Sequence, residues 1–206
     1  FESREQRVSL ELDKGVNEVS MDELKGTIRT AIEASNPYYQ YTVDRWEIRA
    51  EGDSYQTQVN IDLQYRSSLA EDEYVFEQVD RITEELFTAN MNDHQRVKEV
   101  NDYLMSRIEY DDTLTNDTPY DALTAGTTTC QGYALLTYLL LEEAGIENQI
   151  VTGDLIGEPQ AHAWNLVNLA GDWYHLDVTQ NATHYSEQEM LSYGWYNLSD
   201  AQLSST

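Results

Sequence analysis

The spacing of hydrophobic positions changes period several times along this chain, and each change predicts an element. In "RVSLELD" (Arg7–Asp13), Val8, Leu10 and Leu12 alternate with polar residues, as on one face of a β-strand. "MDELKGTIRTAIEA" (Met21–Ala34) then spaces Leu24, Ile28 and Ile32 as a helix does, with Ser20 as N-cap and Glu23 as its capping-box partner. Alternation returns over Tyr41–Ala50 and Tyr55–Tyr65, joined by the turn "EGDS". Residues 1–70 therefore read as a small βαββ lobe.

Composition shifts at "RSSLAEDE" (Arg66–Glu73), and residues 71–206 read as a second domain. Val75, Val79, Ile82 and Leu86 define one helix; after "NMND", Val97, Val100, Leu104 and Ile108 define another. The polar run Tyr110–Thr129, with Pro119 and Gly126, predicts a surface loop of the kind that borders a cleft. From Cys130 the period is helical again. Ala134, Leu135, Tyr138, Leu139, Leu140 and Leu141 cover most of that helix's circumference, so it should be buried nearly all round, ending before Gly145. Strands follow at Gln149–Leu155, Ala161–Leu169 and Trp173–Val178, giving an α+β class overall.

The charge narrows the partners. With 38 acidic against 12 basic residues and a net charge of −26, the chain repels phosphate backbones and anionic lipid, which argues against nucleic-acid binding. The longest apolar run, Tyr133–Leu141, closes at Glu142 and Glu143, too short for membrane insertion. Acidic clusters at Glu71–Glu73 and Asp111–Asp112 lack the glycine and ligand spacing of a calcium loop, so neither a dedicated metal site nor a cofactor is expected. A start at Phe1 and an acidic surface are compatible with an extracytoplasmic protein, at a bacterial cell surface or secreted, and also with a cytoplasmic one. Oligomeric state is not readable.

The single cysteine excludes an internal disulfide and a cysteine-rich zinc site. Threonines 127–129 offer an N-cap, which puts Cys130 in the first turn of its helix, where unpaired N–H groups and the helix dipole favour thiolate. A lone cysteine is ordinarily a small buried hydrophobe; a nucleophile needs a base and something to orient it. "AHAWNLVNLAGDWYHLDVT" (Ala161–Thr179) offers both. If Ala170 and Gly171 form a two-residue turn, Asp177 opposes Trp164 and lies diagonally beside His162 on one face of a hairpin. A slip of one residue would separate them.

"TTTCQGYALL", "EAGIENQIVTGDL" and "HAWNLVNLAGDWYHLDVT", in that order, resemble the transglutaminase-like superfamily over roughly Tyr74–Leu203, and its bacterial members with "C-x-G-Y-A" and "H-A-W-N" most. The resemblance implies a papain-like core of helices packed on an antiparallel sheet. It makes Cys130 the nucleophile, His162 the general base and acid, and Asp177 the group that orients the imidazole. It implies a cysteine-dependent amide hydrolase, a peptidase acting on protein or peptide-like substrate through a thioester. The alternatives are a cross-linking transglutaminase with an amine acceptor, and an inactive module that binds protein or polysaccharide. One departure stands out: where relatives carry an aromatic residue after the threonine, this chain has Gln180 after Thr179.

Gln131 and Trp164 are the candidate substrate contacts, although a first-turn polar residue and a packed hairpin tryptophan need no such role. "IGEPQ" (Ile156–Gln160) should border the cleft. His175 shares the Asp177 face and reads either as a second base or as a packed structural histidine; no motif supports the first. His94 and His184 read as solvated, His184 in a loop.

Overall fold

Antiparallel pairing of three alternating strands builds the first of two compact units, Phe1–Leu69; the second is Ala70–Thr206. The computed structural model describes residues 2–154, 161–188 and 193–204, with the side chains of 184–188 excepted. In the first unit β1 (Arg7–Leu12), β2 (Val43–Gly52) and β3 (Thr57–Tyr65) lie in the order β1-β3-β2. Val8 and Ile48 flank Ile61, and Leu10 and Ala50 flank Val59, so the alternation read from sequence becomes one apolar face. The other face carries Arg7, which pairs with Asp62 at 2.5 Å.

Helix α1 (Met21–Glu33) starts as expected, with Ser20 Oγ accepting from the Glu23 N–H at 3.3 Å. A second helix, α2 (Pro37–Thr42), occupies the predicted start of the following strand. Asn36 caps it by accepting from the Tyr38 N–H at 2.9 Å, and Pro37 suits the first helical position, where no N–H is needed. The lobe thus carries, beyond βαββ, the helix α2 and a 3₁₀ turn at Val16–Glu18. β3 likewise begins at Thr57 rather than Tyr55, because Asp53 Oδ1 gathers the N–H groups of Tyr55 and Gln56 at 2.7 and 3.0 Å.

The second unit wraps helices around one apolar rod. α3 (Leu69–Leu86) and α4 (Asp93–Arg107) bury the residues their spacing predicted, including Val75, Val79, Val97, Val100 and Leu104. α6 (Cys130–Glu143) buries Gly132–Tyr138, Leu140 and Leu141, and Gly145 after it takes φ 74°. Against it lies the antiparallel sheet β6-β7-β8 (Asn148–Asp154, Ala161–Leu169, Asp172–Leu176), where Val167, Leu169 and Leu176 join the same core. Among the described residues no helix is long and apolar enough to cross a membrane.

Two stretches differ from the sequence reading. Tyr110–Thr129 is not simply a loop: β4 (Glu109–Tyr110) pairs in parallel with β5 (Thr127–Thr128), and α5 (Pro119–Ala125) lies between them. Thr118 and Asp121 close a reciprocal capping box at the start of α5, and Gly126 follows it at φ 71°. The last strand stops at Leu176, and "NATHYSEQ" belongs to α7 (Val178–Gln188), not to a loop. The backbone of His184 is therefore helical. α7 is fastened to α4 by a buried amide pair, Asn181 Nδ2 donating to Asn101 Oδ1 at 3.0 Å.

Candidate active site

Cys130 is the first residue of α6, and its position follows from how the preceding segment is pinned. The Asp111 carboxylate accepts from the hydroxyl and N–H of Thr113 and from the N–H groups of Thr115 and Asn116 at 2.6–3.0 Å. These bonds, led by the Thr113 hydroxyl and the Asn116 N–H, hold Asp111 far below the usual carboxylate range. Asn116 in turn receives the Thr129 N–H at 2.8 Å and the Thr128 hydroxyl at 3.2 Å on its carbonyl. The sequence anticipated a threonine cap, but the Thr129 side chain makes no capping hydrogen bond. Gly132 completes the fit: a Cβ there would fall 1.9 Å from Thr128 Oγ1, so the helix can start this close only without a side chain.

His162 and Asp177 arrive from the hairpin. Asn165 pairs with Leu176 and Leu169 with Asp172, the register expected from a turn at Ala170–Gly171, whose φ values are 58° and 95°. Asn165 turns toward the body of α6, where its Nδ2 donates to the Ala134 carbonyl at 3.1 Å, and His162 and Trp164 share the other parity of β7, with their rings stacked. Asp177 lies one residue past β8. Its Oδ2 is 2.7 Å from His162 Nε2, and its Oδ1 accepts from the Gln180 N–H at 3.1 Å as α7 begins. Its own N–H donates to the Trp195 carbonyl at 3.0 Å, so the carboxylate is fixed from both ends.

With Nε2 committed to Asp177, the other ring nitrogen is left for sulfur. The half-buried Cys130 thiol is in hydrogen-bond reach of the His162 ring and of the Ala163 N–H. Burial pushes this thiol up, and the Asp177 charge adds to that. The two hydrogen bonds and the imidazolium charge outweigh both, and the net shift is downward. For His162, burial works against the charged form, but the hydrogen bonds to Asp177 and Cys130, with their charges, raise it to about 9. The arrangement can hold a thiolate beside an imidazolium.

The other candidates are placed as follows. Trp164 is half-buried and stacks on His162, with ring centroids 5.7 Å apart and planes 18° from parallel. Its Nε1–H donates to His175 Nδ1 at 2.9 Å, and His175 Nε2 lies 3.0 Å from Asp200 Oδ1. Sequence reasoning did not anticipate Asp200. It lies 25 residues from His175, at the start of α8 (Asp200–Leu203), and no local pattern links the two. Gln131 is half-buried beside the cysteine; "IGEPQ" lies outside the described residues. Gln180 contributes its backbone N–H to Asp177, a bond that does not depend on its side chain.

Residues 80–178 match the family model of the transglutaminase-like superfamily, a span that holds Cys130, His162 and Asp177. That part of the chain belongs to the transglutaminase-like superfamily. Its helices on an antiparallel sheet are accordingly the superfamily's papain-like α+β core. Three solved structures are similar at low identity. A candidate cysteine protease from Cytophaga hutchinsonii is 14% identical, with TM-score 0.45 over 66% of this chain and 62% of that one. A TGase is 12% identical, with TM-score 0.49 over 94% of this chain and 56% of that one. A candidate protease from Parabacteroides distasonis is 12% identical, with TM-score 0.39 over 65% and 36%. The chain thus spans less than two thirds of each. Comparison with curated proteins gives no match.

Proposed function

We propose that the transglutaminase-like unit is a cysteine-dependent amide hydrolase, a peptidase acting on protein or peptide-like substrate, with Cys130, His162 and Asp177 as its catalytic residues. The observation that carries this reading is a thiol, an imidazole and a carboxylate in hydrogen-bonded succession, with His162 Nε2 2.7 Å from Asp177 Oδ2 and the same ring in hydrogen-bond reach of the Cys130 thiol. The thiolate attacks the amide carbonyl carbon, and His162 gives its proton to the departing amine as the C–N bond breaks, leaving a thioester. His162 then takes a proton from water, whose oxygen attacks the thioester carbonyl and releases the acid and the thiolate. Asp177 keeps the ring oriented and steadies the imidazolium. The Cys130 N–H, at a helix N-terminus, is the oxyanion donor in this scheme.

Iodoacetamide labelling across a pH series tests the site. Alkylation of Cys130 that stays fast well below pH 8 is expected; an ordinary thiol profile overturns the reading and leaves a binding module of the same fold. An amide and peptide library, with Cys130→Ala as control, then reads the acceptor: release of free acid marks hydrolysis, and incorporation of an added primary amine marks transglutamination.

A further inference from the structure

His162 is held at its edge, by Asp177 on Nε2 at 2.7 Å and by its hydrogen bond with the Cys130 thiol, and in-plane bonds of this kind leave the ring free to rock. Only a contact on its flat face removes that freedom, and Trp164 makes one, stacked within 18° of parallel. A stacking group is useful only if it is itself fixed. On one side Trp164 lies against Gly153, where a Cβ would stand 2.9 Å from Cη2 and 3.4 Å from Cζ3. On the other its indole N–H is taken by His175 Nδ1 at 2.9 Å. That bond needs an unprotonated Nδ1, which places the proton of a neutral His175 on Nε2, where it points to Asp200 Oδ1 at 3.0 Å. The carboxyl-terminal segment brings Asp200 there through the backbone exchange between His175 and Leu198, at 2.8 and 2.9 Å.

We propose that Trp164 is a positioning residue for His162, set by His175 and Asp200, so that the carboxyl-terminal segment reaches the reacting pair through a hydrogen-bonded and stacked chain of side chains. The proposal rests on the reading of Cys130 and His162 as that pair. It also separates Trp164 from a simple substrate contact: the indole's edge and one face are already committed within the protein.

The test is the pH profile of Cys130 alkylation by iodoacetamide, with thermal melting measured alongside, in the wild type and in Trp164→Phe, His175→Ala, His175→Gln and Asp200→Ala. Trp164→Phe keeps a stacked ring but loses the N–H. His175→Gln keeps an acceptor. Asp200 has a side chain 95% exposed, so its replacement leaves folding intact even where His175→Ala does not. His175→Ala and Trp164→Phe should slow alkylation at pH 6 about tenfold, the scale expected when a reacting group is misplaced by a fraction of an ångström, and shift the profile toward that of an ordinary thiol. Asp200→Ala should shift it less in the same direction, and His175→Gln should recover most of the wild-type rate. A purely structural role would lower the melting temperature and leave the profile in place. A low-pH wild-type profile that Trp164→Phe and Asp200→Ala leave unmoved overturns this inference alone; an ordinary wild-type profile overturns it together with the reading of the site.

Discussion

His162 with Asp177 and His175 with Asp200 are two imidazole–carboxylate pairs whose rings come from the same hairpin, at 2.7 and 3.0 Å. The distances hardly distinguish them. Exposure does: the Asp177 side chain is 6% exposed and that of Asp200 is 95% exposed. Water screens the outer pair, whereas the inner carboxylate acts through a medium that weakens its field far less. The second nitrogen of each ring then decides its part. The His162 ring also hydrogen-bonds the Cys130 thiol, whereas His175 Nδ1 accepts an indole N–H. The same pair of residue types therefore forms a buried pair against a thiol in one place and an exposed hydrogen-bonded strut behind an indole in the other.

Matched substitutions should break this symmetry most strongly. On the proposed function, Asp177→Asn removes the charge that steadies the imidazolium, and amide turnover should fall by roughly 10²–10⁴-fold, the usual worth of positioned acid–base catalysis. Asp200→Asn keeps an acceptor for His175 and should leave turnover within about twofold, because exposed substitutions are normally small in effect. In urea unfolding, Asp177→Ala should cost roughly 3–5 kcal/mol by leaving a buried ring without its partner. Asp200→Ala should stay within about 0.5 kcal/mol. Equal losses in the two members of either comparison would show that burial does not set their roles.

The pH dependence of stability isolates the inner pair when the sulfur is removed. In Cys130→Ala the raised pKa of His162 rests on Asp177 alone, and the wild-type value of about 9 marks its upper bound. A group whose folded pKa is raised stabilises fully below its unfolded pKa, near 6.5, and loses that contribution as pH rises through the folded value. The urea midpoint of Cys130→Ala should therefore fall as pH rises from about 6.5 toward 9. Adding Asp177→Asn should flatten this slope, and adding Asp200→Ala should leave it. A slope that survives Asp177→Asn would assign the titration to another group.

The inner pair was legible in the sequence because one turn and strict alternation place His162 and Asp177 together, and the register followed from Ala170–Gly171. Asp177 nevertheless read as part of a strand. Val178 and Thr179 are β-branched and favour extended backbone, but burial of Val178 and Ala182 against the core carries them into α7. α5 did have a local signal, Thr118, Pro119 and Asp121 at capping-box spacing, which a polar, turn-rich composition obscured. Asn36-Pro37 announced α2 in the same way. The outer pair had no such signal. Asp200 meets His175 only after the chain has passed through α7 and returned, a tertiary event that no short motif encodes.

A gain in stability, with no change at the site, is expected at the turn on which both pairs depend. Ala170 occupies the left-handed region at φ 58°, where its Cβ crowds the following carbonyl, while Gly171 at φ 95° suits its place. Asn168 Oδ1 already accepts the Gly171 N–H at 2.9 Å, so the turn geometry is supported independently of residue 170. Ala170→Asn supplies the residue that best tolerates this conformation next to glycine, without the extra unfolded-state freedom that glycine would bring. Unfolding free energy should rise by about 1 kcal/mol, read from the urea midpoint at unchanged slope. Because the register is unaltered, the alkylation profile of Cys130 should superimpose on that of the wild type. A shift in that profile would mean that strain in the turn is transmitted along β7 and β8, and that neither histidine pair is set by its local contacts alone.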